Sequence, residues 1–193
     1  METITVSTKN IKLGTIPNIS LPPRETCPKD APCFKDCYAM KAYRNYSPPA
    51  KKAWDKNLRI YKADHADYFA QLSGWLSWKK PEYFRWHAGG DCPDAAYCKG
   101  IISIAKAHAE IRFLIMSKKY DLWRRYQLPE NLAVMYSCWP GYPLPDTNHP
   151  VYYMQDGTET RVKNAAQCAG SCITCKVCWH SRELKTNVVN SKH

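Results

Sequence analysis

The chain has 193 residues, 45% of them hydrophobic and 12% aromatic. That is enough for one packed domain burying roughly 70% of its unfolded surface, with no need of staples. A formal charge of +11, from 28 Lys+Arg against 17 Asp+Glu, suits an acidic partner such as nucleic acid as well as plain solubility.

Residues 2–13 alternate Ile4, Val6, Ile11 and Leu13 with polar residues, as a short strand does, and contain no apolar core of an export signal. Residues 17–32 are a proline-rich loop reaching Cys27, with Cys33 just beyond. A helix is predicted from Phe34 or Lys35 through Tyr43, with Ser47-Pro48-Pro49 as its breaker. Trp54, Leu58, Tyr61, Tyr68, Leu72 and Leu76 then recur at helical spacing, with a break near Asp64 and a stop at Pro81. Residues 83–87 read as a strand entering the turn Ala88-Gly89-Gly90-Asp91. A helix over 100–108, a buried strand over 111–116, a helix over 120–126 and a strand over 132–136 follow. Residues 151–154 form the last strand expected.

This order predicts an α/β fold: parallel strand–helix alternation forming an open sheet or partial barrel, with a cysteine-rich C-terminal segment. One metal-binding domain over 1–182 and a frayed tail over 183–193 are expected. Chemistry in such folds collects past the carboxyl ends of strands, here at 87–91, 117–119 and 137–141. No apolar run approaches the roughly 20 residues of a membrane span, so the setting expected is the cytoplasm and no membrane partner.

Thiols stay reduced there, so ten cysteines point to metal before disulfides. Cys168, Cys172, Cys175 and Cys178 place four thiols in eleven residues. Cys172-x2-Cys175-x2-Cys178 is the spacing with which ferredoxin-type chains wrap three corners of a 4Fe–4S cluster. Zinc is the alternative, although tetrahedral zinc sites usually draw on two separated knuckles. Cys27-x5-Cys33-x3-Cys37 invites the same interpretation at a predicted helix start, whose free amides favour an anionic group. Cys92, Cys98 and Cys138 read as buried small residues. A cluster held by four thiolates carries about −2, which leaves the molecule basic.

Outside the cysteines, His87 beside the Gly89-Gly90-Asp91 turn is the leading candidate for a chemical or binding role, and Arg85 could face a cluster or a phosphate. Lys118, Lys119, Arg124 and Arg125 bracket Tyr120 and Trp123, which suits single-stranded nucleic acid, but a solvated helix face with one apolar side gives the same pattern and is the preferred reading.

Several motifs recur here in a set order. They are Cys-x5-Cys-x3-Cys-Tyr-Ala from Cys27, Arg85-Trp86-His87 with Gly90-Asp91, and Leu128-Pro129-x-Asn131. Ser137-x-Trp139-Pro140-Gly141 and Cys175-x2-Cys178-Trp179 follow. In this order the chain resembles the phage proteins called gene product 88, which implies a phage origin and hence the host cytoplasm. More distantly it resembles the radical S-adenosylmethionine superfamily, with a cysteine loop after the first strand and a glycine turn after the second. That resemblance implies Cys27, Cys33 and Cys37 as cluster ligands. It places Gly89, Gly90 and Asp91 at an S-adenosylmethionine site, with Asp91 in place of a glutamate. Three functions follow as expectations. The first is an iron–sulfur protein whose structural or redox cluster sits beside a basic surface for a partner. The others are a radical S-adenosylmethionine-like enzyme and a zinc protein that binds nucleic acid.

Overall fold

The computed structural model of the protein describes residues 2–35, 37–46, 48–142, 147–155 and 164–191. Seven strands form one open sheet, every neighbouring pair parallel, in the order β1-β2-β3-β4-β5-β7-β6. They are β1 (Asn18–Ile19), β2 (Tyr83–Trp86), β3 (Arg112–Ser117), β4 (Leu132–Cys138), β5 (Val151–Gln155), β6 (Ala165–Gln167) and β7 (Asn187–Ser191).

Parallel neighbours cannot be joined by tight hairpins, so crossovers carry the helices. Between β1 and β2 run α1 (Tyr38–Lys41), α2 (Pro48–Ala63) and α3 (His65–Lys79). The crossovers β2–β3 and β3–β4 carry α4 (Ala95–Ala107) and α5 (Tyr120–Trp123). The crossover β6–β7 carries α6 (Cys172–Cys175) and a 3-10 turn over Val177–His180.

Local chemistry sets the helix ends. Asp64 accepts from the amides of Ala66 and Asp67 at 2.8 and 3.0 Å, which separates α2 from α3 at the expected break. Asp94 accepts from the Tyr97 amide at 2.9 Å and starts α4 at Ala95, five residues earlier than the apolar spacing indicated. Pro48-Pro49 opens α2 instead of ending a helix, because proline suits the first turn, where its missing N–H has no intrahelical partner. The alternating segment near the N-terminus pairs only at single bridges, Ser7 with Asn18 and Asn10 with Gly14.

The two faces of the sheet are covered differently, and this positions the site. Phe84, Trp86, Phe113, Ile115, Leu132 and Val134 pack against Leu58 and Tyr61 of α2, Tyr68 and Leu72 of α3 and Ile101 of α4. Each such fully buried side chain contributes about 1.5–3 kcal/mol relative to exposure, so this face forms a core without help from any ligand. The opposite face presents Leu114, Ala133, Met135, Tyr152 and Val188. It is roofed by Leu13, Ile16, Trp179 and the cysteine-bearing β6–β7 crossover, with Cys168, Cys172 and Cys178 packed against it.

The C-terminal segment departs from expectation. Where fraying was expected, β7 lies between β5 and β6, with Val188, Val189 and Asn190 buried. Neither β6 nor β7 was predicted.

Candidate functional site

Cys168 follows β6 directly, and its amide donates to the Val189 carbonyl at 2.7 Å. The Cys172 amide donates to the Lys12 carbonyl at 2.8 Å, which ties the crossover to the N-terminal segment. Lys176 takes a left-handed φ of +54°, turning the chain between Cys175 and Cys178. Trp179 then donates through Nε1 to the Phe84 carbonyl at 3.0 Å and anchors the loop on β2. Cys168, Cys172, Cys175 and Cys178 all line one pocket as a result.

Their protonation differs by position. Burial pushes the Cys178 thiol up to about 12 and also raises Cys172, with Arg85 opposing the shift in both. Partial burial raises Cys168 as well, yet the Gly170 amide, the Lys12 ammonium and the Tyr152 hydroxyl together hold its pKa below the ordinary thiol value. Tyr152 donates to Cys168 Sγ at 3.8 Å and accepts from Lys12 Nζ at 3.1 Å. A bound metal cation would reverse the cost of ionising the buried thiols. Among the described residues, no three His, Cys, Asp or Glu side chains come together so as to hold a single metal ion.

Cys27, Cys33 and Cys37 form a second group past the end of β1, each half-buried. Burial and then the Asp91 carboxylate push Cys27 up to about 12, with Cys37 adding to the shift and Lys118 opposing it. The helix after this group is only Tyr38–Lys41 before the backbone becomes π-helical over Ala42–Tyr46, so the helix-dipole argument carries no weight here. Tyr38 pins the group instead: its ring is largely exposed, and its hydroxyl reaches in to donate to the Ala88 carbonyl at 2.8 Å.

The turn after β2 belongs to the protein's own packing. A Cβ on Gly89 would lie 2.7 Å from the Trp54 ring. Gly90 has φ +83°, and a Cβ there would lie 2.6 Å from the Leu21 carbonyl oxygen. Asp91 is buried and accepts from Ser117 Oγ at 2.7 Å, the Cys92 amide at 2.7 Å and the Lys118 amide at 2.8 Å. It thereby joins the ends of β2 and β3. Arg85 lies on the face of β2 that the β6–β7 crossover covers, 9% exposed, its Nε donating to the Trp86 carbonyl at 3.1 Å.

A family model described as Gene product 88 matches residues 2–139, well over half of the chain. This chain belongs to the gene product 88 family. No curated protein and no solved structure matches it. The gene product 88 match takes in Cys27, Cys33, Cys37, Arg85 and Asp91, whereas Cys168 to Cys178 lie beyond it. Two other stretches within the gene product 88 region have structural explanations. Asn131 Nδ2 reaches the carbonyls of Ala105, His108 and Ile111 at 2.9–3.0 Å and holds the end of α4 to β3. Ser137 accepts from Lys118 Nζ at 2.9 Å, and that ammonium stands 6.0 Å from the Trp139 ring.

His87 is placed differently from the cysteines. It is buried, with its ring 5.4 Å from that of Tyr97 on α4, and neither ring nitrogen has a partner among the described residues. Burial, then Arg85 and Lys119, depress its pKa from 6.5 to about 3. The folded state refuses a proton that the unfolded chain accepts below about 6.5, so this contribution is lost as pH falls through that window toward 3. The expected slope is about 1.4 kcal/mol per pH unit. Urea denaturation from about pH 4 to pH 7 checks this: His87→Gln should flatten the profile by that amount, and equal slopes would refute it.

In the basic and aromatic stretch at 118–125 the tryptophan faces the core and is not available for stacking on a base. Trp123 is fully buried, Arg124 pairs with Asp121 at 3.2 Å, and Lys119 Nζ donates to the Pro93 carbonyl at 2.9 Å. Cys92, Cys98 and Cys138 are buried as expected. Sequence reasoning missed Lys12 and Tyr152: Tyr152 is brought to Cys168 by the pairing of β5, β7 and β6, and Lys12 by the N-terminal segment that the Cys172 amide holds; Tyr38 was signalled only by following Cys37.

Proposed function

We propose that the chain is an iron–sulfur protein of phage type whose cysteines hold metal in two groups. The observation carrying this reading is the placing of Cys168, Cys172, Cys175 and Cys178 around one pocket in the β6–β7 crossover. A zinc ion needs four sulfurs about 2.3 Å from a single point. A 4Fe–4S cluster takes its thiolates at separate corners, which suits thiols spread along a pocket wall. Bound there, a cluster supplies positive charge to ionised thiols and one-electron chemistry. Lys12 and Tyr152 orient Cys168, and Trp179 fixes the loop on β2. The role is structural or redox, and exposed lysines offer a basic surface for a partner, nucleic acid included.

The test is iron and acid-labile sulfide per chain after anaerobic purification. About four of each per cluster is the expected result. Stoichiometric zinc without sulfide would overturn the reading in favour of the zinc alternative.

A second reading, a radical S-adenosylmethionine-like enzyme, is favoured by one arrangement. Cys27, Cys33 and Cys37 follow β1, and the Gly89-Gly90-Asp91 turn follows β2, at the same end of an all-parallel sheet. Three thiols leave one iron of a four-iron cluster without a cysteine. Against it, both glycines answer to packing, and Asp91 already takes three donors. Iron-replete protein that forms no 5′-deoxyadenosine from S-adenosylmethionine and dithionite would exclude the enzyme reading.

A further inference from the structure

We propose that Lys118, Ser137 and Trp139 form a binding site for a small carboxylate that carries an aromatic or apolar group. The site asks nothing of the cysteines and stands whether or not they hold iron.

Lys118 directly follows β3, and Ser137 is the last residue but one of β4. These strands are parallel neighbours, so both residues stand at the carboxyl edge of the sheet, where open α/β sheets take their ligands. Lys118 Nζ donates to Ser137 Oγ at 2.9 Å. No carboxylate among the described residues pairs with that ammonium, whereas Lys51, Arg59, Lys62, Arg112 and Arg124 each have an acid. Asp91 is close in the chain's own packing, but it takes the backbone amide of Lys118 at 2.8 Å and leaves the ammonium to Ser137.

The hydrogen bonding at this edge is unfinished. An ammonium has three N–H donors, and Lys118 uses one. Ser137, 7% exposed, accepts that bond on a lone pair, and its own proton meets no acceptor among the described residues. Two donors are thus left side by side, one of them charged. They match the two oxygens of a carboxylate, and the single positive charge matches its single negative one. A phosphate dianion would call for the amides of a long helix start, and α5 has only four residues. The half-buried Trp139 ring lies 6.0 Å from the same ammonium and offers an apolar wall for the rest of the ligand. Tyr120 fixes the floor, its hydroxyl donating to the Ser137 carbonyl at 2.8 Å.

The experiment is a fluorine NMR titration of 4-fluorobenzoate with the purified protein, competed by benzoate and by inorganic phosphate. Wild type should bind saturably, with displacement by benzoate and none by equimolar phosphate. Lys118→Met removes a charge-assisted contact and should raise Kd at least about tenfold. Ser137→Ala removes a neutral one and should raise it about threefold or more. Lys118→Arg keeps the charge and should stay closer to wild type than Lys118→Met. Lys52→Met, on the exposed side of α2, should change nothing and so separates the site from general charge. Urea denaturation of each variant checks that it is folded; if Lys118→Met is not, Ser137→Ala decides. Absence of saturable binding by wild type overturns the proposal, as does wild-type affinity in folded Ser137→Ala or Lys118→Met. Displacement by equimolar phosphate overturns the carboxylate assignment.

Discussion

Replacing Cys175 and Cys178 together with serine should remove the iron and sulfide of the C-terminal group and lower the melting temperature while leaving the chain folded. Both effects follow from the layering. Metal bound only by the folded chain stabilises it by linkage, by about 2.7 kcal/mol when the ligand is at 100 times its Kd. For a domain of this size that is a fall of roughly 5–11 °C in Tm. The helix side of the sheet, with Trp86, Phe113, Tyr68 and Leu72 fully buried, does not depend on the crossover and should keep its far-ultraviolet circular dichroism. Metal analysis and thermal melting on the same preparations check this. A variant that lost its iron and melted unchanged would show that the metal contributes nothing to the fold.

Gly90→Ala should cost about 3 kcal/mol, more than Gly89→Ala, although the residues are adjacent. A φ of +83° is strained for alanine, by about 1–3 kcal/mol. The added methyl would also meet the Leu21 carbonyl at 2.6 Å and Thr26 Oγ1 at 2.8 Å. The first of these is backbone and cannot swing aside, so the exit of β1 must move, and with it the Thr26 bond to the Asp91 amide. At Gly89 the obstacle is the Trp54 ring, a side chain able to rotate, and about 1 kcal/mol is expected. Chemical denaturation of both variants tests the ranking, and a larger loss at Gly89 would refute it.

Much of this architecture was legible because its signals are local. The α2–α3 break was readable at Asp64, where apolar spacing and a capping carboxylate coincide. β2 to β5 announced themselves as short apolar runs, since parallel strands are buried on both faces. The grouping of the cysteines was equally plain. What escaped depends on partners distant in sequence. β1 is two residues long, inside a proline-rich loop, and is a strand only because Asn18 and Ile19 pair with Arg85 and Trp86. β6 and β7 have their pairing as their main credential. Trp123 sits between basic residues yet faces the core, and from sequence a buried aromatic and a stacking one look alike. Glycines in a turn invite a ligand reading, and only the approach of Leu21 and Trp54 shows that the neighbour is the protein itself.

The order β5-β7-β6 also dictates a sequence of assembly. β6 pairs with β7, and β7 in turn with β5. During synthesis β6 emerges from the ribosome before β7 and must wait beside the nascent sheet without a strand to pair with. The cysteine crossover is made in that interval, while one of its ends is still untethered.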